Sequence, residues 1–248
     1  MFNNWKIIKF DKLDSTMIKA KELVFKSNEK RIVVLADTQT AGYGRNKRPW
    51  YSPLGGLWFT IVLKDIDMIQ YTQLPLIVPI TIVEPLKDYG LNAMIKWPND
   101  ILVFNKKIAG ILIEGNINQS NKIKYALIGI GINVNNTYKD IPNENVRDNV
   151  ISIRDIIGRH IDKEELLCQI LQKMDKYLEF AKNPVLVEEI YKIYKKYSMI
   201  INKRVRVLLK NKEYSGIAVD ITKNGFLLLK VNDKITIEIA DAHVMEII

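Results

Sequence analysis

The sequence predicts an α+β protein: a mixed β-sheet packed with helices over residues 1–201, then a small β-barrel domain over residues 202–248. Three observations predict it. Strand-like apolar runs alternate with helical stretches through the first 200 or so residues. After Asn202 the hydrophobic period falls to two and stays there. The composition is that of an ordinary globular chain, with 248 residues, 48% hydrophobic and 26% charged. Such a length buries a core without a staple, and the single Cys168 could not form an internal disulfide.

The elements follow in order. Trp5 to Phe10 is a short strand. Asp14-Ser15-Thr16 supplies cap-forming residues for an apolar-periodic helix running to Phe25. Arg31 to Ala36 is a buried strand, and Thr38 to Pro53 is a long loop carrying glycines and a basic cluster. Gly56 to Leu63 is a strand. Tyr71 to Tyr89 is a helix made irregular or kinked by Pro75, Pro79 and Pro85. Met94 to Trp97, Asp100 to Phe104, Lys107 to Glu114 and Lys124 to Val134 are strands joined by short turns. Ser152 to Ile157 is helical. Lys163 to Ala181 is an amphipathic helix, broken at Asn183-Pro184 before another from Val185 to Tyr197. The tail reads as short alternating strands, among them VRVLL, EYSGIAVDI, GFLLLKV and KITIEIA, with turns at Lys223-Asn224-Gly225 and Val231-Asn232-Asp233, and a barrel or sandwich of five short strands fits it.

Composition narrows the function classes. The longest uncharged run, Met68 to Val83, is sixteen residues with two glutamines and two prolines, which argues against a membrane span. The first residues carry no secretory pattern, so a soluble cytoplasmic protein is expected. The 37 basic residues against 28 acidic ones give a net charge of +9, enough to raise the question of nucleic acid. However, only 8 of the 37 are arginine, and the chain has 38 isoleucines. A Lys/Ile-rich composition of that kind reflects coding bias or a hot habitat, and charge alone argues for solubility and steering.

Four segments could carry chemistry. Gly42-Tyr43-Gly44-Arg45-Asn46-Lys47-Arg48-Pro49-Trp50 starts like a dinucleotide fingerprint, but Lys47 stands at the third glycine and no helix follows. What remains is a glycine-hinged loop with three cations and an indole, suited to an anion and a base, or simply a solvated loop. In Lys96-Trp97-Pro98-Asn99-Asp100 a carboxylate beside an amide suits Mg²⁺, and an Asx turn would explain it equally. Lys107 enters an apolar strand followed by Ala109 and Gly110, as a partner for a carboxylate or phosphate or as a rim lysine. Gly129 and Gly131 permit close approach to the backbone by a ligand or a strand, and Asn133 could read an adenine edge. His160 and His243 are the only histidines, so there is no Cys/His metal set, His-centred triad or HExxH. Cys168, inside an amphipathic helix, reads as a core residue.

The order and combination of these segments are more specific than any one of them. Asp14-Ser15-Thr16, Gln39-Thr40-Ala41-Gly42-x-Gly44-Arg45, Trp50, the KWPND block, Lys107-x-Ala109-Gly110-Ile111-Leu112-x-Glu114 and Gly129-x-Gly131-x-Asn133 together resemble biotin protein ligase over essentially the whole chain. The resemblance implies the fold shared with class II aminoacyl-tRNA synthetases, with an SH3-like C-terminal barrel. It implies ATP and Mg²⁺, with biotin as substrate. Biotin would be activated to biotinyl-5′-AMP and passed to a lysine of a biotin carboxyl carrier domain, as in acetyl-CoA carboxylase. Lys107 and Arg45 would be catalytic. Biotin would be held by Ser15, Thr16, Met17, Gln39, Gly42, Tyr43, Gly44, Arg45, Lys107 and Gly110. ATP and the adenylate would meet Arg45, Arg48, Trp50, Lys96, Asn99, Asp100, Lys107 and Asn133, with Asn99 and Asp100 also serving Mg²⁺.

Two departures from the family pattern stand out. The family loop often reads GRGRxGR, whereas Tyr43 replaces its first Arg and Lys47 its last Gly. Met17 stands where an Asn is usual after Ser15-Thr16. Some members carry an N-terminal helix-turn-helix. Here Ser15 lies about 14 residues from Met1, too few for three helices, so a ligase-only form without sequence-specific DNA binding is expected. Members often dimerise through a sheet, so a homodimer is possible. The alternatives are a lipoate or octanoate ligase or transferase of the same superfamily, and a non-enzymatic basic nucleic-acid- or protein-binding module.

Overall fold

The computed structural model describes residues 4–120, 122–137 and 144–248. A seven-stranded sheet, ordered β1-β2-β3-β7-β6-β5-β4, organises the first part. Its strands are β1 (Lys6–Leu13), β2 (Arg31–Gln39), β3 (Leu57–Leu63), β4 (Met94–Lys96), β5 (Asp100–Val103), β6 (Lys106–Ile117) and β7 (Ile123–Ile132). Only the β1–β2 ladder is parallel, and helix α1 (Thr16–Lys26) makes that crossover.

The two faces of the sheet differ. Val33, Leu35, Phe59, Ile61, Leu63, Ile128 and Ile130 point into the main core, beneath α2 (Met68–Asp88), α5 (Lys163–Phe180) and α6 (Pro184–Tyr197). The alternate residues Ile32, Val34, Val62 and Leu127 meet Met17, Ala20 and Val24 of α1 in a smaller cluster on the other face. With both faces covered, all seven residues of β3 are buried, which is why LWFTIVL shows no alternation.

The expected helix is α2, which runs for 21 residues with Pro75, Pro79 and Pro85 inside it. Asp67 and Gln70 close a capping box at its start. Three interior prolines cost about 3 kcal/mol each. Eight fully buried aliphatic side chains, Leu74, Leu76, Ile77, Val78, Ile80, Ile82, Val83 and Leu86, return about 1.5–3 kcal/mol each and outweigh that cost. Two elements fall outside the expected runs. Helix α3 (Glu144–Asp148) carries no apolar period, and β12 (His243–Ile247) pairs with β8 at the end of the chain. Thr38 and Gln39, expected in the loop, complete β2. Ser152 caps α4 (Ile153–Ile157), and Asn183 caps α6 with Pro184 at its first position.

The tail forms a five-stranded antiparallel sheet in the order β11-β10-β9-β8-β12. Its strands are β8 (Arg204–Leu209), β9 (Lys212–Ile221), β10 (Leu227–Lys230), β11 (Thr236–Ile239) and β12. It is docked firmly. Trp97 Nε1 donates to Gly225 O at 2.8 Å, Gln73 Nε2 donates to Lys223 O at 2.7 Å, and Asp220 accepts from Tyr191 and Lys195 of α6. Among the described residues no helix is long and apolar enough to cross a membrane.

Candidate active site

On the α1 face the sheet carries a trough floored by missing side chains. Register aligns Thr60 with Gly129 and Leu112, and Trp58 with Gly131 and Gly110, across β3, β7 and β6. The Trp50 indole fills the second row, and a Cβ on Gly131 would lie 2.4 Å from its Nε1. Trp50 Nε1 is buried without a hydrogen-bond partner among the described residues. A Cβ on Gly129 would press on Met17 Sδ at 2.9 Å. Met17, expected at biotin, is 3% exposed and packs with Ala20 and Val24 in the smaller cluster.

The loop from Thr40 to Ser52 closes over the trough. Its base is sewn to the start of α1 by Thr40 N–H to Leu13 O and Ala41 N–H to Asp14 O. Its neck is sewn by Trp50 N–H to Gly42 O at 2.8 Å, where Gly42 leaves no room for a Cβ. Between them Gly44 N–H donates to Arg48 O, and Asn46 and Lys47 take positive φ. So Lys47, at the family's glycine position, adopts the backbone a glycine would favour, and its ammonium lies 4.0 Å from the Tyr43 ring.

At one end of the trough sits a polar cluster. Gln39 Oε1 accepts from the Thr16 amide at 2.8 Å and the Thr16 hydroxyl at 3.1 Å, while Gln39 Nε2 donates to Ser52 Oγ at 2.7 Å. Gln39 satisfies the first amide of α1, and the buried N-cap Ser15 makes no side-chain cap bond. A cationic cluster lies beside Trp50. Lys107 Nζ is 2.6 Å from Asp100 Oδ1 and 4.9 Å from the Trp50 ring. Arg45 donates to Asn99 Oδ1 at 3.0 Å and pairs with Asp241. Burial pulls the Arg45 guanidinium below its ordinary pKa, with Asp100 opposing and Arg48 assisting.

Several expected roles meet specific geometry. Asn99 is turned away from metal ligation, because its oxygen faces the Arg45 cation and its amide donates to Ile111 O at 3.1 Å. Asn133 is 4% exposed, with its oxygen accepting from Asn136 and its amide donating to Lys107 O. It stands just past β7 and anchors the strand bearing the lysine. Arg48 and Lys96 stand near His243: burial first, then Arg48 and Lys96, hold that imidazole below the ordinary histidine pKa. A cavity of about 690 Å³ adjoins the loop, lined among others by Gln39, Gly42, Tyr43, Lys47, Trp50 and Thr137.

The pattern of the Biotin/lipoate A/B protein ligase family matches residues 8–133, and that of the Biotin protein ligase C terminal domain matches residues 200–246. The chain belongs to the Biotin/lipoate A/B protein ligase family. It is 34% identical to the Bifunctional ligase/repressor BirA of Bacillus subtilis over 92% of this chain and 70% of that one. It is 28% identical to the Biotin–[acetyl-CoA-carboxylase] ligase of Mycobacterium tuberculosis, over 82% and 74% of the two chains. The structure of a biotin protein ligase from Aquifex aeolicus in complex with biotin and ATP superposes with a TM-score of 0.77 at 27% identity, covering 95% and 96% of the two chains. These relatives and the C-terminal match set the ligase among the biotin protein ligases.

Sequence reasoning missed three residues of this ligase's site. Thr60 is the one polar side chain in an otherwise apolar strand, and that contrast was the available signal. Ser52 orients Gln39 from across the loop. Asp241 comes from the C-terminal sheet, and nothing local in the sequence connects it to Arg45.

Proposed function

We propose that the two ends of the trough hold the two ends of biotin. The polar cluster of Ser15, Thr16 and Gln39 takes the ureido ring. Met17 over Gly129 and the Trp50 indole over Gly131 and Gly110 form the apolar wall along the rings and the chain. Lys107 and Arg45 receive the carboxylate where it meets ATP. The observation that carries this reading is the neutral hydrogen-bonding end and the cationic end on one glycine floor, with sheet rows two residues and thus roughly 7 Å apart. Lipoate and octanoate have no polar head for Thr16 and Gln39 to bond.

The carboxylate oxygen attacks the α-phosphorus of ATP, pyrophosphate leaves, and biotinyl-5′-AMP forms. The ε-amine of an acceptor lysine on a biotin carboxyl carrier domain, as in acetyl-CoA carboxylase, then attacks the acyl carbon. AMP leaves and an amide remains. The carboxylate and the phosphate it attacks are both anionic, and a fixed ammonium between them removes much of their repulsion. Lys107 supplies it by exchanging Asp100 for the substrates. Trp50 lies beside that ammonium, and its indole offers a flat face near the adenine. One carboxylate suits Mg²⁺, which takes its other ligands from phosphate and water, so Asp100 rather than Asn99 is the protein ligand. The ion would offset phosphate charge. On this reading residues 1–201 hold both substrates in the cytoplasm, and residues 202–248 close over the loop through Asp241.

The test is pyrophosphate release with ATP, Mg²⁺ and, in turn, biotin, lipoate or octanoate. Release with biotin alone, followed by labelling of a purified carrier domain at one lysine, is expected. Release with lipoate and not biotin would overturn the reading.

A further inference from the structure

Tyr43 is half-buried, and its ring packs against the cluster of Met17, Ala20 and Val24 on the α1 face. The loop that carries it thus has an apolar foot on the body of the protein. Lys47 covers the same ring, with its ammonium 4.0 Å from the centroid. The two side chains meet because the loop folds back on itself between them. Gly44 N–H donates to Arg48 O at 2.9 Å, Trp50 N–H donates to Gly42 O at 2.8 Å, and Tyr43 pairs with Pro49 across the fold. The reversal uses left-handed backbone at Asn46 and Lys47, with φ of 55° and 57°. An asparagine tolerates that conformation, whereas a lysine does not favour it, so its cost at Lys47 has to be offset. The ring under its ammonium does so. Tyr43 and Lys47 also line the cavity beside the loop together with Gln39, whose side chain belongs to the polar end of the trough. The pair stands on a path from solvent to that end.

We propose that Tyr43 is a positioning residue: with Lys47 it latches the loop over the trough, and the opening of this latch sets how fast biotin enters and how fast biotinyl-AMP escapes. Every contact of the latch lies within the chain, so the loop is held by its own side chains and not by a substrate. Entry and escape rest on the biotin reading of the trough. The two departures from the family loop, Tyr43 and Lys47, then belong to one device, in which the ring offsets the backbone cost of the lysine. Arg45 acts otherwise. It holds an anion once that anion is inside, so its loss should speed escape without speeding entry.

Residue-resolved amide exchange on the protein alone tests the latch. Tyr43→Ala should speed exchange at the Gly44 and Trp50 amides roughly tenfold, because a half-buried ring and a cation–ring contact are lost together. Tyr43→Phe keeps the ring and should leave the wild-type rate. Lys47→Gln removes only the charge. It should speed exchange roughly two- to fivefold with Tyr43 present and not at all beside Tyr43→Ala, as coupled residues require. Stopped-flow binding tests the gate. In folded Tyr43→Ala, biotin association and biotinyl-AMP escape should rise by the same factor as the exchange rates, since all three wait on one opening. Unchanged exchange in that variant, or biotin entry that is unchanged or slower, would overturn the role of Tyr43 while leaving the biotin reading standing. If Tyr43→Ala fails to fold, Lys47→Gln decides alone, and unchanged exchange at Gly44 and Trp50 overturns the latch. A wild type that releases no pyrophosphate with biotin would overturn the biotin reading, and the gate with it, whatever the exchange rates.

Discussion

The same strands build both faces of the large sheet, and the faces are put to opposite uses. Ile128 and Ile130 of β7 point into the main core, and Gly129 and Gly131, alternating with them, admit Met17 and Trp50 on the other face. On β3, Phe59 and Ile61 are core, while the intervening Thr60 carries the hydrogen bond to Thr16. Period two thus lets one strand anchor the fold and shape the ligand floor at alternate positions. Stability and function can be damaged separately by neighbouring substitutions.

The largest effect that would separate the faces is on the core side. Ile128→Ala deletes a fully buried side chain and should cost about 2–5 kcal/mol, read as a lower urea midpoint. The KM for biotin, measured well below the transition, should stay at the wild-type value. Next comes the site side, with the opposite signature. Lys107→Ala should lower biotin-dependent pyrophosphate release by 10²–10³, about 3–4 kcal/mol, with an unchanged melting curve. Its neighbour Lys106 is exposed and points to the other face, so Lys106→Ala should be nearly silent. Normal turnover by folded Lys107→Ala would move the carboxylate partner to Arg45.

Arg45→Ala should have a smaller effect of another kind. Losing charge-assisted bonds worth about 1.5–3 kcal/mol should let biotinyl-AMP escape roughly ten- to a hundredfold faster while synthesis continues. Labelling of bystander lysines is the readout, and failure to make any adenylate would place Arg45 in the first chemical step. The smallest effect concerns His243, whose depressed pKa means that the folded state resists its protonation. The unfolded chain then binds the extra proton, so stability falls as pH drops below about 6.5. Replacement by Gln should flatten that part of the melting-temperature profile between about pH 5 and 7.

The sequence made the scaffold more legible than the site. Apolar runs marked the strands of the large sheet and period-two runs those of the small one, Ser15 marked the start of α1 and Asn183-Pro184 the break before α6, because these signals are local. The motif blocks also located the loop, Lys107 and the glycine floor. What the glycines accommodate was not legible, because Trp50 and Met17 reach them from distant segments. The same holds for Asn99, whose oxygen is claimed by Arg45, and for Asn133, claimed by Asn136 and Lys107 O. Asp241 lies 196 positions from Arg45, and only the docked tail brings them together.

Helix α1 has only 11 residues, fewer than an isolated helix needs to persist in water. Its first amide is satisfied by Gln39 of another strand, not by its own N-cap. The register of its opening turn is therefore fixed only when β2 and the loop have arrived. A ligand seated there is bound by the folded chain and not by the unfolded one, so at a hundred times its Kd it should add about 2.7 kcal/mol to the stability of the whole protein. Amide exchange at Thr16 and Met17 should slow most when biotin is added.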